Sequence, residues 1–390
     1  MSTAPIALLP RLQALLPPLW PDARVPRDAL LQTVAELAIP EPEPSPQAIV
    51  AQLAQHGLLA HCVAAAESSP DRELSIRALC LLRAALSYRS PLYDLMFVMQ
   101  GLGSHAVVQA GSAAQRDDYL PRVQNGQALA ALALTEPEAG SDLAGIRTRA
   151  QRQADGSYRI DGEKIFISNA GLATHYVLYA RTGEHPKRGL SAFLLPAATV
   201  GVETQPLRLL CDDHPIGRVI LRGVTLPESA RIGEEGQGMS LALATLARFC
   251  PTVGAAAVGI AARALDEAIA HVRRRQQFGQ PLASFQATQL RLAELATELR
   301  AAALLVQHAA QTLDQPKATA DAAGTESAMA KLFATEMAQR VVDGALQLHG
   351  GSGLIAGSVI ERLYRDVRAL RIYEGTSEIQ KLIIARSLLH

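Results

Sequence analysis

Glu374 lies in the segment Arg371-Ile-Tyr-Glu-Gly-Thr-Ser-Glu-Ile-Gln380, held between Tyr373 and Gly375 and followed by Thr376 and Ser377. A carboxylate so placed takes a proton from carbon if packing hides it from water, because burial raises its pKa toward the working pH. The glycine leaves the backbone open to close approach by a substrate. By itself the segment also reads as an ordinary turn before a helix, so other residues must decide.

Several further segments carry chemistry of a compatible kind. In Leu132-Ala-Leu-Thr-Glu-Pro-Glu-Ala-Gly-Ser-Asp142 a β-prone run turns at Pro137 and Gly140, exposing backbone donors, and Ser141 adds a hydroxyl. Such a loop lies against a flat ring or its phosphates, or is simply a Gly/Ser/Asp turn. In Phe166-Ile-Ser-Asn169, strand alternation places Phe166 and Ser168 on one face; a core-facing strand explains the ring better than the hydroxyl. Arg273-Arg-Arg-Gln-Gln-Phe-Gly279 closes a long helix and is followed by Phe285-Gln286. Cations in a last helical turn complement the helix dipole, and arginine also grips a pyrophosphate bidentately. In Gln347-Leu-His-Gly-Gly351, Gly350 and Gly351 let the backbone approach a ligand.

Two patterns are decoys. Gly101-Leu-Gly-Ser-His-Ala106 has the spacing of a dinucleotide fingerprint but lies in a helical region without a βαβ unit. The histidines show no metal-ligand spacing, and His214 and His349 read as loop or packing residues, so no metal is expected.

The elements that must position these residues follow from periodicity. Ten of the 22 prolines fall in the first 46 residues, giving a stiff lead-in over 1–46 with one short helix from Arg27 to Leu37. Helical spacing over 47–128 includes Ile49–Leu58, Leu74–Ser87 and Ala113–Gln124. Over 129–238 short β-prone runs dominate: Tyr158–Ser168 as two strands across Asp161-Gly162, then Tyr176–Ala180, Ser191–Leu195 and Arg218–Leu221. Over 239–390 long helical faces return, marked by Val258, Ala261 and Leu265, by Leu292, Leu295 and Leu299, and by Phe333, Met337 and Val341. The fold class is α+β: an N-terminal helical domain, a middle β-barrel or sandwich domain and a C-terminal four-helix bundle.

The 390 residues are 49% apolar but only 4% aromatic, and the formal net charge is zero. Neutral balance gives no electrostatic case for nucleic acid or an anionic membrane. The four scattered cysteines read as reduced thiols. The stretch Met1–Trp20 is broken by prolines, so a signal peptide is not expected, nor is any run long and apolar enough to span a bilayer. These readings place the protein in the cytoplasm.

In order and spacing, the segments from Leu132 to Gln380 resemble the signatures of the acyl-CoA dehydrogenase family, and the likeness extends weakly back to Ile49. The resemblance implies an α-β-α subunit, FAD, and a homodimer or homotetramer. It makes Glu374 the α-proton base, with a flavin hydride acceptor and a trans-2-enoyl thioester as product. It assigns flavin contacts to Leu132, Leu134, Thr135, Gly140, Ser141, Phe166 and Ser168. Arg275, Gln277, Phe278, Phe285 and Gln286, with Gln347, Gly350 and Gly351, are assigned to the neighbouring subunit's cofactor, and Thr376 and Glu378 join the flavin set. Substrate contacts fall to Ser141, Arg248, Tyr373 and Gly375. The implied partners are an acyl-CoA or acyl-carrier-protein thioester and an electron-transfer flavoprotein.

This chain departs from the family's pattern in places. Phe166 stands where tryptophan is commoner, and Phe249 fills the slot that holds the base in some branches. Ala247 and Cys250 replace an aspartate and an arginine that help hold the thioester arm and the acyl entrance. Those departures leave two alternatives beside the dehydrogenase: a specialised desaturase or oxidase acting on a carrier-bound acyl chain, and a non-catalytic flavin-binding member.

Overall fold

The computed structural model describes residues 26–64, 74–211, 214–315 and 320–389. The readings made on Met1–Trp20, and the lead-in as far as residue 25, lie outside them. Packing divides the chain into two compact units, one of residues 1–39, 75–94 and 248–390, the other of residues 40–74 and 95–247.

The first unit is helical. It contains α1 (Arg27–Glu36), α3 (Ile76–Arg89), the start of α4 (Pro91–Leu102), α7 (Gly238–Arg274) from Arg248 onward, α8 (Gln286–Leu313), α9 (Ala320–His349), α10 (Val359–Val367) and α11 (Ser377–Leu389). The expected helix after Arg27 is present and ends one residue short of Leu37. Helix α3 is buried on every face, because apolar side chains are not confined to one stripe; Leu79, Leu82 and Leu86 are fully enclosed. It lies close against α7: a Cβ on Gly259 would meet the Ala84 carbonyl oxygen and the Ser87 hydroxyl. Polar anchors fix this crossing. Tyr88 hydroxyl donates to Asp266, and Ser87 hydroxyl donates to the Ala256 carbonyl at 3.0 Å. Asp314, after α8, accepts from the amides of Ile76 and Arg77 and pairs with the Arg77 guanidinium at 2.8 Å, capping the start of α3.

Helix α7 corrects the expectation that no stretch is apolar enough to span a bilayer. It has the length and composition to do so, with mean hydropathy 1.6 over its most apolar 18 residues, and 72% of that window is buried inside the fold. A core helix touched by neighbours on all sides needs no polar face, which is why composition alone does not separate it from a membrane span.

The second unit holds α2 (Pro46–Gln55), α5 (His105–Ala110), α6 (Ala113–Gln124), the rest of α4 and the start of α7, together with an eight-stranded sheet. Helix α6 has the bounds its pattern predicts and starts with a capping box between Ser112 and Gln115. The strands are β1 (Ala130–Ala133), β2 (Arg149–Arg152), β3 (Tyr158–Ser168), β4 (His175–Arg181), β5 (Leu190–Pro196), β6 (Val202–Pro206), β7 (Ile216–Leu226) and β8 (Arg231–Ile232). Their order is β6-β7-β3-β2-β4-β5-β8, with β1 paired parallel to β4. Tyr158, Ile160, Tyr176, Leu178, Phe193, Val219 and Val224 fill the core on one side.

Two expectations on β3 are corrected. Tyr158–Ser168 is one continuous strand, not a hairpin across Asp161-Gly162. Gly162 instead marks a register shift against β7, and a Cβ there would come within 2.5 Å of the Thr148 hydroxyl, so its glycine serves close approach. A second shift lies between Lys164 and Ile167, where Phe166 adopts φ +58°. That bulge breaks the alternation by which Phe166 and Ser168 were placed on one face.

The decoy Gly101–Ala106 spans the end of α4 and the start of α5. A Cβ on Gly103 would lie 2.7 Å from both the Ala130 Cβ and the Ala131 nitrogen, so helix-to-strand packing explains this glycine. All four cysteines are buried and none forms a disulfide, and no metal-ligand cluster occurs among the described residues.

Candidate active site

Glu374 lies in the turn between the short 3₁₀ segment Arg368–Arg371 and α11. Its φ of +53° and the +91° of Gly375 put two successive residues in the left-handed region. For glutamate this costs about 1–3 kcal/mol and persists only where the surroundings enforce it. Here they do. Lys331 Nζ donates to the Gly375 carbonyl at 2.7 Å, and Gln380 Nε2 donates to the same carbonyl at 3.1 Å and to that of Glu374 at 3.4 Å. Glu336 accepts from Arg371 Nε at 2.8 Å and from Ser377 hydroxyl at 2.7 Å, bracketing the turn at both ends. The φ of +91° is what requires glycine at position 375; a Cβ there would also stand 2.6 Å from Gln380 Nε2 and displace that amide.

The residue Glu374 is half-buried as a whole, yet its Oε2 atom is sealed from solvent and makes no hydrogen bond among the described residues. Burial raises its pKa above the ordinary glutamate range; Arg83 and Lys331 oppose the rise and Asp94 adds to it. An unpartnered, desolvated carboxylate is the state that a carbon base requires.

The surrounding charges are themselves buried. Arg83 makes a bidentate pair with Asp94, Nε to Oδ1 at 2.9 Å and the second nitrogen to Oδ2 at 2.7 Å, and its remaining nitrogen donates to Thr252 hydroxyl at 2.9 Å. Cys250 sits beside the turn, its thiol 3.7 Å from Gln380 Oε1 and 3.9 Å from the Ser327 carbonyl. Burial, with Glu374 nearby, pushes that thiol up to about 12, so it stays protonated. Phe249 is fully buried. Arg248, Tyr373 and Thr376 are half-buried, and Glu378 is exposed.

Helix α7 ends at Arg274 and opens into a small hairpin of β9 (Gln276–Gln277) and β10 (Gln280–Pro281), with Phe278 (φ +52°) and Gly279 at its tip. Arg275, Gln277, Phe278, Gln286, Gln347, Gly350 and Gly351 are exposed, while Phe285 is half-buried with its ring 6.2 Å from that of Phe278. The His271 and His349 rings lie 4.5 Å apart, so the α7 and α9 ends meet and bring the Arg275 and Gln347 segments together. No hydrogen bond or ion pair among the described residues links either segment to Glu374.

In the sheet unit, Lys164 on β3 ties down the loop that follows β1. Its ammonium donates to the Leu134 carbonyl at 3.1 Å and to Glu136 Oε1 at 2.8 Å, and Glu136 also accepts from the amides of Arg147 and Thr148. The amide of Ile165 donates to the Thr135 carbonyl at 2.9 Å, which sets Leu134 and Thr135 beside the Phe166 bulge. Burial draws Lys164 down to about 8 against the pull of Glu136. Burial also works to raise Glu136, and Lys164 with the hydrogen bonds overrides it, holding that carboxyl below its usual range; at neutral pH both are ionised. Phe166 is 55% exposed, Leu132 and Thr135 are half-buried, and Gly140 and Ser141 are exposed.

Ser168 hydroxyl lies 2.8 Å from His214 Nε2, and burial lowers that imidazole to about 4, so it is neutral. His214 is thus a partner of a site residue and not merely a loop residue; its place before β7, which pairs with β3, was the signal. Lys331, Gln380 and Glu336 were also missed. The signal for Lys331 was a lone cation in the apolar run Ala328-Met-Ala-Lys-Leu-Phe-Ala334.

A helical unit that carries a desolvated glutamate on an enforced turn, and a unit built on an eight-stranded sheet, are the two parts of this chain. The N-terminal, middle and C-terminal domain families of the acyl-CoA dehydrogenases match residues 26–127, 131–224 and 236–389, and the chain belongs to that family. It is 40% identical over 285 residues to a 3-(aryl)acrylate reductase of Clostridium sporogenes, covering 72% of this chain and 74% of that one. It is 38% identical over 296 residues to the caffeyl-CoA reductase-Etf complex subunit CarC of Acetobacterium woodii, covering 74% and 76%. Its fold matches butyryl-CoA dehydrogenase of Megasphaera elsdenii with a TM-score of 0.86 at 28% identity, over 93% and 97% of the two chains. A glutaryl-CoA dehydrogenase of Mycobacterium smegmatis, solved in complex with FADH2, matches with a TM-score of 0.83 at 26% identity over 93% of each chain.

Proposed function

We propose that the protein catalyses α,β-dehydrogenation of an acyl thioester, with Glu374 as the α-proton base and FAD as the cofactor. The observation that carries this reading is the sealed, unpartnered Oε2 of Glu374 on a turn that three other side chains enforce.

The residues present fit FAD. Phe166 and Phe278 hold apolar rings toward solvent at positive φ, and Gly140, Gly350 and Gly351 face open space that a Cβ would begin to fill. Thr135, Ser141, Phe166 and Ser168, with Leu132, Leu134 and Gly140, would hold the flavin end. His214 would orient the Ser168 hydroxyl. Arg275, Gln277 and Phe278, with Phe285, Gln286, Gln347, Gly350 and Gly351, would hold the phosphates and adenine end of a second subunit's cofactor, which makes the protein a homodimer or homotetramer. Thr376 and Glu378 complete the set. FAD, when bound, supplies the acceptor for the hydride that leaves the β-carbon.

The chain itself handles the proton. The Glu374 carboxylate removes the α-proton, and its backbone N–H, with Gly375 leaving room, polarises the thioester carbonyl. Tyr373 and Arg248 of the helical unit, and Ser141 of the sheet unit, are the substrate contacts that the family resemblance implies. The carrier is coenzyme A or a carrier protein, and the electrons pass to an electron-transfer flavoprotein, as the name of the Acetobacterium relative supports. The protein works in the cytoplasm.

The reductase names of two relatives favour a second reading, in which the same site runs in reverse on a 2-enoyl thioester. Glu374 must then begin protonated and deliver its proton to the α-carbon. The two directions differ in pH dependence. Dehydrogenation rises as Glu374 deprotonates with increasing pH, and reduction falls over the same limb.

Anaerobic single-turnover flavin reduction across a panel of acyl-CoA and acyl-carrier thioesters tests the reading, with Glu374→Gln beside the parent. The variant should keep FAD and bind thioester while losing about 10²–10⁴-fold in rate. A variant that bleaches its flavin within a few-fold of the parent places the base elsewhere and ends the proposal.

A further inference from the structure

Lys331 is fully buried in α9, and no ion pair of its ammonium is formed among the described residues. An ammonium without a carboxylate of its own is costly to bury, and a methionine would serve the helix packing better. Its donor is spent on the Gly375 carbonyl at 2.7 Å, one residue beyond Glu374.

The charges that reach Glu374 come from three helices: Arg83 on α3, Lys331 on α9 and Asp94 on α4. Those that reach Lys331 are Cys250, Glu374, Glu336 of its own helix and Glu378 of α11. Arg83 exerts the larger lowering charge on Glu374, but it is bound to Asp94 through two hydrogen bonds and Asp94 offsets part of its field. Cys250 stands where resembling sequences carry arginine and contributes no charge, because its thiol stays protonated. Glu336 is occupied by Arg371 and Ser377. Lys331 is the second cation that acts on Glu374, and of the two it is the one hydrogen-bonded to the backbone of the turn that carries the glutamate.

Resting on the dehydrogenase reading above, we propose that Lys331 is a positioning residue, whose ammonium locks the left-handed Glu374–Gly375 turn through the Gly375 carbonyl and supports the Glu374 carboxylate with its charge. The lock and the charge act at one atom, so loss of the lysine disturbs both the aim of the carboxylate and its readiness to ionise.

Lys331→Met in the FAD-loaded enzyme tests this, with Lys331→Gln as the second variant in case the methionine protein fails to fold. Three readouts are taken: bound flavin per subunit, the pH profile of single-turnover flavin reduction, and thermal stability against pH with and without Glu374→Gln. FAD occupancy should stay at the parent's level. The reduction rate should fall about tenfold to 10²-fold, the size of loss expected from a small misplacement of a reacting group. The acid limb of the profile should move to higher pH, because burial then acts on Glu374 with less opposition. The thermal gain from Glu374→Gln should be larger in the Lys331→Met background than in the parent. A rate within twofold of the parent, or a slowed rate with an unmoved acid limb and an unchanged thermal gain, overturns the proposal; the latter would leave Lys331 a packing residue. The Glu374→Gln variant alone separates this from failure of the wider reading: if it still reduces its flavin, the base is misassigned, and if it does not, only the lysine is in question.

Discussion

Two loops in this protein are held by a buried lysine that donates to a backbone carbonyl, and the two lysines are differently balanced. In the sheet unit Lys164 reaches the Leu134 carbonyl and also has its own carboxylate, Glu136, at 2.8 Å. In the helical unit Lys331 reaches the Gly375 carbonyl and shares its field with Glu374 and Glu336 without pairing to either. The first arrangement is electrically closed: the pair and two amides satisfy one another, and the loop is fixed whatever binds beside it. The second is open, and its charge falls on Glu374, whose buried Oε2 has no hydrogen-bond partner among the described residues. The same residue type thus carries a paired charge in one place and an unpaired one in the other, according to whether a counter-ion is built in.

The largest stability effect should come from opening the closed pair. Lys164→Met leaves Glu136 ionised, buried and short of its cation, a change that costs about 3–5 kcal/mol. Lys331→Met removes one of two donors to the Gly375 carbonyl, with Gln380 Nε2 remaining, and should cost about 0.5–1.5 kcal/mol. Urea unfolding of both variants measures the order, and flavin reduction should show the reverse ranking among folded protein. Adding Glu136→Gln to Lys164→Met should recover part of the loss, because no unpaired charge then remains. Equal destabilisation by the two lysine variants would remove the distinction between a closed and an open charge.

The difference between the lysines could not be read from the sequence. Long helices, the β-rich middle and the Glu374 segment were legible because each depends on periodicity or on neighbours along the chain. Helix α6 begins and ends where Ala113–Gln124 predicts because its capping box is local. Tyr158–Ser168 failed as a hairpin because Asp161-Gly162 carries turn chemistry, whereas the glycine answers to Thr148, which packs against it from outside the strand. The Phe166–Ser168 face failed because a bulge is a property of pairing with β7. Lys331 and His214 were not read as site residues for the same reason: each acts on a residue that only the fold brings near, Gly375 for the first and Ser168 for the second.

A second prediction sets the two glutamates against each other by the sign of their pH dependence. Glu374 has a folded pKa raised by burial, so its contribution to stability is fully present below the unfolded value and is lost as pH rises through the folded one. Glu374→Gln should therefore match the parent's melting temperature at acid pH and exceed it increasingly toward neutral pH. Glu136 has a lowered folded pKa, so its stabilisation is present above the unfolded value and lost as pH falls through the folded one. Glu136→Gln should melt below the parent at neutral pH, with the gap closing in acid. Melting curves from acid to neutral pH read both signs. A Glu374→Gln variant less stable than the parent at neutral pH would mean the carboxylate is satisfied in solution and the open-charge description is wrong.

The smallest effect is expected at Cys250, and it asks which helix holds the Glu374 turn. The thiol reaches Gln380 Oε1 at 3.7 Å and the Ser327 carbonyl at 3.9 Å, long contacts from a weak donor. Gln380 keeps both of its carbonyl contacts without that sulfur, since they run from the other end of its amide. Cys250→Ala should therefore cost about 1 kcal/mol of stability through the small void it leaves. It should change the flavin-reduction rate less than about threefold, well inside the range of a positioned group. The acid limb should also stay in place, because a protonated thiol contributes no charge to lose. If Cys250→Ala instead slows reduction as much as Lys331→Met, the turn is held from α7 as firmly as from α9. The lysine would then be one support among several, and the contrast with Lys164 would rest on stability alone.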